Sequence, residues 1–395
     1  MHVVPSPRPS AGGTEGLRRA NTGAVLRALR ELGPSTRSEL AAYTGLAKAT
    51  IGAIVADLEA AGAVAERGSR PGVRGRPGRP VALRGRRFVS LGLELNVDYV
   101  SAVVLDLAGE VVSSTSRSGG TSTDLGDLAR SALADHVGSG SVLVGTTLAV
   151  PALVRADNRT VAWAPNLRVE WDDLAGALDS VVPDRQGEVA ISNDANCAAY
   201  AEAHHGAARG TSHALYVTGT VGIGAGIVQD GELVRGGAGF AGEVGHMAVG
   251  DSRALCGCGR RGCWEASIGL HAMLAAVGMP ELDTPLRSAE AVAERAATDP
   301  SVRAGLERVG RDVGLGIAVL STVLDPQVVV MGGYFAALGD LVLEPARRTL
   351  DELLVSEAQV RPELRTSTLG IEAAALGAAE QSFGPVLQGE VDLPA

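Results

Sequence analysis

The sequence predicts an α/β protein, with an N-terminal winged helix-turn-helix followed by a two-lobed body. Three observations predict it. Residues 17–68 carry three short amphipathic helical patterns in succession. From residue 88 onward, apolar strand patterns alternate with helical ones. Charge also divides between the two regions: residues 1–87 hold 15 Lys and Arg against 6 Asp and Glu, a balance of +9, and the rest of the chain stands at −19. A basic head on an acidic body suits a head that meets nucleic acid and a body that nucleic acid repels.

The chain has 395 residues, 46% apolar and 20% charged, which is enough for two or three domains with substantial cores. The longest apolar run, 313–324, ends at Asp325 and is too short to span a membrane. The first residues show no basic-then-apolar leader pattern. Of four cysteines, three fall in one motif, as expected in a reducing cytoplasm. Cys197 is left over as an expected buried thiol.

Taken in order, residues 1–16 are rich in Pro, Ser and Gly without periodicity and read as a disordered tail. Residues 17–68 read as the DNA-binding domain. Val25, Leu26, Leu29 and Leu32 mark the face of a first helix, and Thr36 followed by Glu39 has the form of a capping box opening a second. Gly45 turns the chain. Ile51, Ile54, Val55 and Leu58 then line a third helix that ends at Gly62. This plan would place Lys48, Ala49 and Thr50 toward a major groove, where small residues permit close approach and the polar ones reach phosphate or base edges. A plain three-helix bundle is the alternative on these residues alone.

Ala63–Arg67 suits a wing strand. Residues 69–87 form a basic Arg/Gly/Pro segment in which Arg74, Arg76 and Arg79 fit a narrow minor groove. The body begins with a strand meander over 89–112, a helix over 124–136 and a buried strand over 142–150 ended by Pro151. Residues 287–298, 301–324, 344–356 and 371–382 are helical by period.

The most informative stretch is Gly242-Glu243-Val244-Gly245-His246, nine residues, then Cys256-Gly257-Cys258-Gly259-Arg260-Arg261-Gly262-Cys263-Trp264-Glu265. Three thiols and an imidazole in so short a span match a tetrahedral zinc site with ligands His246, Cys256, Cys258 and Cys263. Glycines at 257, 259 and 262 let the backbone bend around an ion. Unpaired small core residues are the plainer alternative. Glu243 and Glu265 flank the motif and suit a ligand rich in hydroxyls, although on this segment alone they read equally as solvated.

This motif resembles the signature of the ROK family, which groups repressors, open reading frames and sugar kinases. The resemblance extends from about Arg18 to the C-terminus. It implies a two-lobed actin-like ATPase body built on ribonuclease-H-like sheets. The first lobe would span 88–192, completed by a C-terminal helix over 371–384, and the second, with the zinc motif, would span 193–370. It also implies that the winged helix is joined to the body by the basic segment.

The sequence departs from the family's kinases at the phosphate loops. Their Asp-x-Gly-Gly-Thr hairpin is replaced by Glu94-Leu95-Asn96-Val97-Asp98, which adds bulk and negative charge where polyphosphate would approach. Their Gly-Thr-Gly-x-Gly loop reads Thr220-Val221-Gly222-Ile223-Gly224, and Gly332-Gly333 resembles their adenosine loop only weakly. The sugar-facing segments are kept. Trp163–Leu167 resembles the loop whose Asn, here Asn166, meets the sugar, and Ser192–Asn196 resembles the segment carrying the kinase base, here Asp194.

The resulting expectation is a non-catalytic, sugar-responsive regulator, a repressor in the ROK family's regulatory branch. Its partners are double-stranded operator DNA, a sugar effector held by Asn166, Asn193, Asp194, Glu243, His246 and Glu265, and further copies of itself in a dimer or tetramer. Zn²⁺ is the structural ion, and no membrane is involved. An ATP-dependent sugar kinase that uses Asp194 as base is the alternative.

Overall fold

The computed structural model describes residues 13–68, 79–119, 121–137, 140–164, 167, 174, 178, 189–220, 222–354 and 361–394. Arg74, Arg76, Asn166, Val221 and the expected tail up to residue 12 lie outside the described residues.

The head consists of α1 (Thr14–Leu32), α2 (Arg37–Thr44), α3 (Lys48–Ala60) and a two-stranded antiparallel wing, β1 (Val64–Glu66) and β2 (Val81–Leu83). The capping box that opens α2 is present in full. Thr36 Oγ1 accepts from Glu39 N at 3.3 Å, and Glu39 Oε2 accepts from Thr36 N at 2.7 Å. Gly45 closes α2 at φ +74°, which permits the tight turn into α3. Ile51, Ile54, Val55 and Leu58 point into the core, leaving Lys48, Ala49 and Ala53 exposed on the opposite face with Thr50 half-buried beside them.

Three expectations for this region are corrected. Helix α1 starts at Thr14, inside the expected tail, where Glu15 in its first turn complements the helix dipole. Leu32, expected on the apolar face, is exposed at the last residue of α1, just before the chain turns away at Gly33. The segment 69–87 is not wholly a linker, because Val81–Leu83 pairs with β1 and buries Val81 and Ala82 within the head.

The first lobe holds β3 (Phe88–Leu95), β4 (Tyr99–Asp106), β5 (Val111–Ser118), α4 (Ser122–Val137), β6 (Val142–Val150), a small hairpin of β7 (Leu153–Val154) and β8 (Val161–Trp163), and β9 (Ala190–Asn193). Its sheet order is β5-β4-β3-β6-β9, antiparallel through the hairpins and parallel from β3 to β6 to β9. Helix α5 (Asp194–His205) leads to the second sheet.

That sheet holds β10 (His213–Gly219), β11 (Ile223–Gln229) and β12 (Glu232–Leu233). After α6 (Glu265–Ile268), α7 (Leu270–Val277), α8 (Pro285–Ala296) and α9 (Pro300–Leu324) it adds β13 (Val328–Gly333), and after α10 (Tyr334–Leu338) and α11 (Asp340–Leu353) it adds β14 (Glu363–Thr366). Its order, β12-β11-β10-β13-β14, repeats the first sheet's pattern of pairing and direction. The two sheets are therefore copies of one ribonuclease-H-like plan, as the α/β reading requires.

Two helices cross between the lobes: α5 and the C-terminal α12 (Ala373–Leu387). Glycines make their close packing possible. A Cβ at Gly92 of β3 would lie 1.9 Å from Ala375 O, and one at Gly377 of α12 would lie 1.7 Å from Cys197 O of α5. Cys197 is fully buried at this crossing, as expected, with Gln381 Nε2 donating to its sulfur at 3.3 Å.

The head is not a bead on a linker. Val25, Leu26, Leu29 and Val81 share one continuous core with Phe88, Leu105 and Leu107 of the first lobe and with Ala379 and Phe383 of α12. A polar cluster sits within that seam. Arg30 of α1 pairs with Glu380 of α12, and His205 Nε2 at the end of α5 lies 3.1 Å from the other Glu380 oxygen. Arg30 Nε also donates to Leu107 O at 2.8 Å. Burial alone would raise the Glu380 carboxyl, but Arg30 and His205 hold it below the usual carboxylate range.

The crossing predicts that Gly377→Ala destabilises the chain by about 1–3 kcal/mol or more, because both clashing atoms belong to rigid helices. Urea unfolding of the variant checks this, and a wild-type midpoint would contradict the packing.

Candidate functional site

Between the lobes lies a cleft of about 580 Å³, a volume typical of small-molecule sites. Its floor is built from a strand–helix junction and a hairpin. At one, β9 ends in Asn193, which caps α5: Asn193 Oδ1 accepts from Asn196 N at 3.0 Å, and its amide Nδ2 donates to Ala152 O at 3.1 Å. The cap fixes Asp194 as the first residue of α5, where Oδ1 accepts from Ala195 N at 2.8 Å. At the other, the β3–β4 hairpin brings in Asn96 and Val97.

Glu94 lies just beneath, 2% exposed. Its Oε1 accepts from Tyr99 Oη at 2.7 Å and from Asn96 Nδ2 at 3.0 Å, while Oε2 is buried without a partner. Burial pushes the Glu94 carboxyl up to about 8, with the charge of Asp194 adding to the shift. Burial likewise pushes Asp194 up to about 7, reinforced by Glu243.

Two of the hairpin's backbone amides are already engaged. Val97 N donates to Asn96 Oδ1 at 2.8 Å, and Asn96 N donates to Tyr99 O at 2.9 Å. A loop that cradles phosphates needs such amides free. In the second expected phosphate loop, a Cβ at Gly222 would lie 2.7 Å from Glu265 Oε2 and one at Gly224 would meet the Ala195 side chain at 3.1 Å. Gly226, beyond that loop on β11, would meet Ala199 at 2.4 Å, so Gly224 and Gly226 let β11 lie against α5. The Gly332-Gly333 pair is filled from within the protein, by Tyr216 and the Gly219 carbonyl.

The opposite wall is the His/Cys motif. A single 3-10 turn, Val244–His246, presents His246, and the 256–263 loop turns through Gly259 and Gly262 at φ +84° and +79°. The ligand atoms of His246, Cys256, Cys258 and Cys263 all lie within 4.8 Å of one another. Cys258 and Cys263 sulfurs are 3.7 Å apart, and Cys256 Sγ is 3.8 Å from His246 Nδ1. A tetrahedron with metal–sulfur bonds near 2.3 Å has edges of about 3.8 Å, so the two short distances match its edges and the four side chains could hold a metal. With Nδ1 turned to the ligand set, Nε2 is the ring nitrogen left over.

Trp264 anchors this loop from behind. It is fully buried, Nε1 donates to Asp312 O at 2.8 Å, and Gly316 of α9 leaves room for its ring. Glu265 follows, and its Oε2 accepts from Ile223 N at 3.0 Å, tying the motif to β11.

The cleft thus brings together Asn193, Asp194, Glu243, His246 and Glu265 of the expected sugar contacts. Lys48, Ala49, Thr50 and Arg79 stand in the head. Arg79 pairs with Glu66 at 3.2 Å, and Glu66 is also held by Arg37 at 2.9 Å. The sequence reading did not single out the Glu94–Tyr99–Asn96 cluster as a unit, nor Trp163 and His271 as cleft walls. Trp163 is half exposed, and its isolation beside a Pro-Asn pair is the signal that could have marked it.

Both floor carboxyls have folded pKa values above the usual range near 4, so the folded state holds their protons more tightly than the unfolded state does. Their stabilising protonation is complete below about pH 4 and is lost as pH rises through about 7 for Asp194 and about 8 for Glu94. Melting temperature should therefore fall between about pH 5 and about pH 8.5. The double variant Asp194→Asn, Glu94→Gln should show a flatter slope, and parallel slopes would contradict the assignment.

The ROK family profile matches residues 90–381. The chain is 30% identical over 372 residues to the xylose repressor of Bacillus subtilis (strain 168), covering 91% of this chain and 94% of that protein. Its fold matches the crystal structure of a ROK family transcriptional regulator, a homolog of the E. coli MLC protein, with TM-score 0.79 at 22% identity over 95% of this chain and 98% of that one. It also resembles a ROK family glucokinase from Streptomyces griseus in complex with glucose and AMPPNP, at 26% identity and TM-score 0.61, but over only 74% of this chain against 98% of that one. By its profile match and by likeness along nearly its whole length, the chain belongs to the ROK family.

Proposed function

We propose that this protein is a sugar-responsive DNA-binding transcriptional regulator, a repressor, whose body is a sugar-kinase fold retained as a sensor. The observation that carries this reading is the helix-turn-helix with its wing, joined through a shared core to a two-lobed body with an open polar cleft. Likeness to a xylose repressor that runs through head and body together supports it.

In this reading the exposed face of α3, with Lys48, Ala49 and Thr50, enters the major groove, and Arg74, Arg76 and Arg79 of the wing reach the minor groove. Arg79 would exchange Glu66 for phosphate or groove edges. The sugar lies in the front cleft between Asp194 on the floor and Glu243, His246 and Glu265 on the far wall. By the resemblance to the family's sugar-facing segment, Asn166 would add a further contact, and Asn193 holds Asp194 in place. Zn²⁺ suits the His246, Cys256, Cys258 and Cys263 set, and when bound it would keep that wall rigid. The engaged amides of the β3–β4 hairpin favour a non-catalytic body.

Transmission follows from one helix. Asp194 begins α5 in the cleft, and His205 ends it at the Arg30–Glu380 seam with the head, about 18 Å away at 1.5 Å per residue. A sugar that draws the lobes together shifts α5 and α12, and with them the head. The DNA-bound population changes only by the sugar's differential affinity for the two arrangements. Paired half-sites call for a dimer or tetramer. Among the described residues no helix is long and apolar enough to cross a membrane, and a cytoplasmic location accords with a regulator of genes. The retained Asp194 favours a second reading, an ATP-dependent sugar kinase.

One experiment separates these. Purified protein should hold one zinc per chain, reduced in Cys258→Ser. A thermal-shift screen of the zinc-loaded protein against xylose, glucose, their phosphates and Mg-ATP should give a shift with one sugar class and none with ATP. A shift with ATP together with sugar-dependent ADP release would establish the kinase reading. Binding of no sugar would sink both.

A further inference from the structure

Three large hydrophobic side chains line the front cleft and yet stay exposed: Trp163 at 51%, Leu255 at 63% and Val97 at 38%. Exposed apolar residues scattered singly are ordinary on a protein surface. These three line one cavity from separate elements: β8, the loop before Cys256 and the β3–β4 hairpin. Because they are exposed, they stand at the mouth of the cleft.

The strand that presents Trp163 is fastened on several sides. Leu153 pairs with Trp163 across the β7–β8 hairpin. Side chains directly opposite in a strand pair share one face, and both of these line the cleft. The preceding carbonyl, Ala152 O, accepts from Asn193 Nδ2 at 3.1 Å, which ties the hairpin to the junction that presents Asp194. Beyond β7, Ala156 N donates to Ala238 O of the second lobe at 3.1 Å, and a Cβ at Gly239 would lie 2.6 Å from Val154 O. The hairpin is thus braced against both lobes before any ligand arrives, which lowers the ordering cost of binding.

Charge and size define what such a platform takes. Among the described lining residues there is no Lys or Arg, whereas Asp194, Glu243 and Glu265 are acidic. A phosphate or carboxylate on the ligand is therefore disfavoured. A cleft of about 580 Å³ has room for more than one sugar ring. A sugar ring has hydroxyl edges and faces of C–H groups. Its edges suit the acidic inner wall, and its C–H faces suit an indole.

We propose that the cleft takes an uncharged disaccharide. One ring lies among Asp194, Glu243, His246 and Glu265. The next lays a C–H face on Trp163, with Leu255 and Val97 excluding water at its edges. This rests on the reading of the front cleft as a sugar site and names the ligand class for it.

Calorimetric titration of the zinc-loaded full chain with xylose, xylobiose, glucose, cellobiose and maltose tests this. At least one disaccharide should bind about tenfold more tightly than its monosaccharide. Trp163→Ala should cancel that gain while costing the monosaccharide less than about threefold, and Trp163→Phe should keep most of it. Equal affinity for monosaccharide and disaccharide would overturn the proposal and leave the sugar-sensor reading standing. An equal loss of both in Trp163→Ala would also overturn it, by marking Trp163 as a wall that any sugar meets. Binding of no sugar would overturn the sensor reading and the proposal together.

Discussion

Glu380 is the residue on which the relation of head to body depends. It is 1% exposed, and its two oxygens face Arg30 of the head and His205 of the cleft helix. A buried carboxylate of this kind depends on its cation, and removal of Arg30 leaves a buried charge whose isolation costs about 3–5 kcal/mol. The surrounding apolar seam is non-directional and tolerates small sliding. The ion cluster is directional and does not. Head orientation, α12 and the far end of α5 are thereby fixed to one another, and in the proposed reading this makes α5 a lever between cleft and head.

The cleft has a complementary character. Its His/Cys wall is held from behind by Trp264 and laterally by Glu265, and the four candidate ligand atoms lie within 4.8 Å of one another. Its floor carries two carboxyls, Glu94 and Asp194, that share one low-dielectric region and resist joint ionisation. The hairpin above them ties up its own amides through Asn96. In the proposed reading, those engaged amides favour sensing over phosphoryl transfer.

Much of this was legible in the sequence where the determinants are local. The capping box at Thr36 and Glu39, the Gly45 turn and the His-Cys-Cys-Cys spacing each depend on residues a few positions apart, and each is present as expected. The strand patterns over 89–112 and 142–150 likewise give β3, β4, β5 and β6 of the first sheet. The determinants that were not legible are those joining distant parts of the chain. Arg30 and Glu380 are 350 residues apart, and nothing local marks them as partners. Glycines were ambiguous for the same reason: Gly224, Gly332 and Gly333 look like nucleotide loops in one dimension, yet each admits a close neighbour from another element. Strand β2 went unread because it is only three residues long and lies fourteen residues beyond its partner strand, across a stretch made almost wholly of Arg, Gly and Pro.

The most direct test of the lever is to measure how far the bound sugar changes affinity for a selected operator duplex, in the wild type and in His205→Ala. That substitution lies at the end of α5 remote from the cleft. The account predicts unchanged sugar affinity, with the sugar's effect on DNA affinity falling at least fivefold. An undiminished effect in a variant that still folds and binds sugar would show that coupling does not run through α5 and the Glu380 cluster.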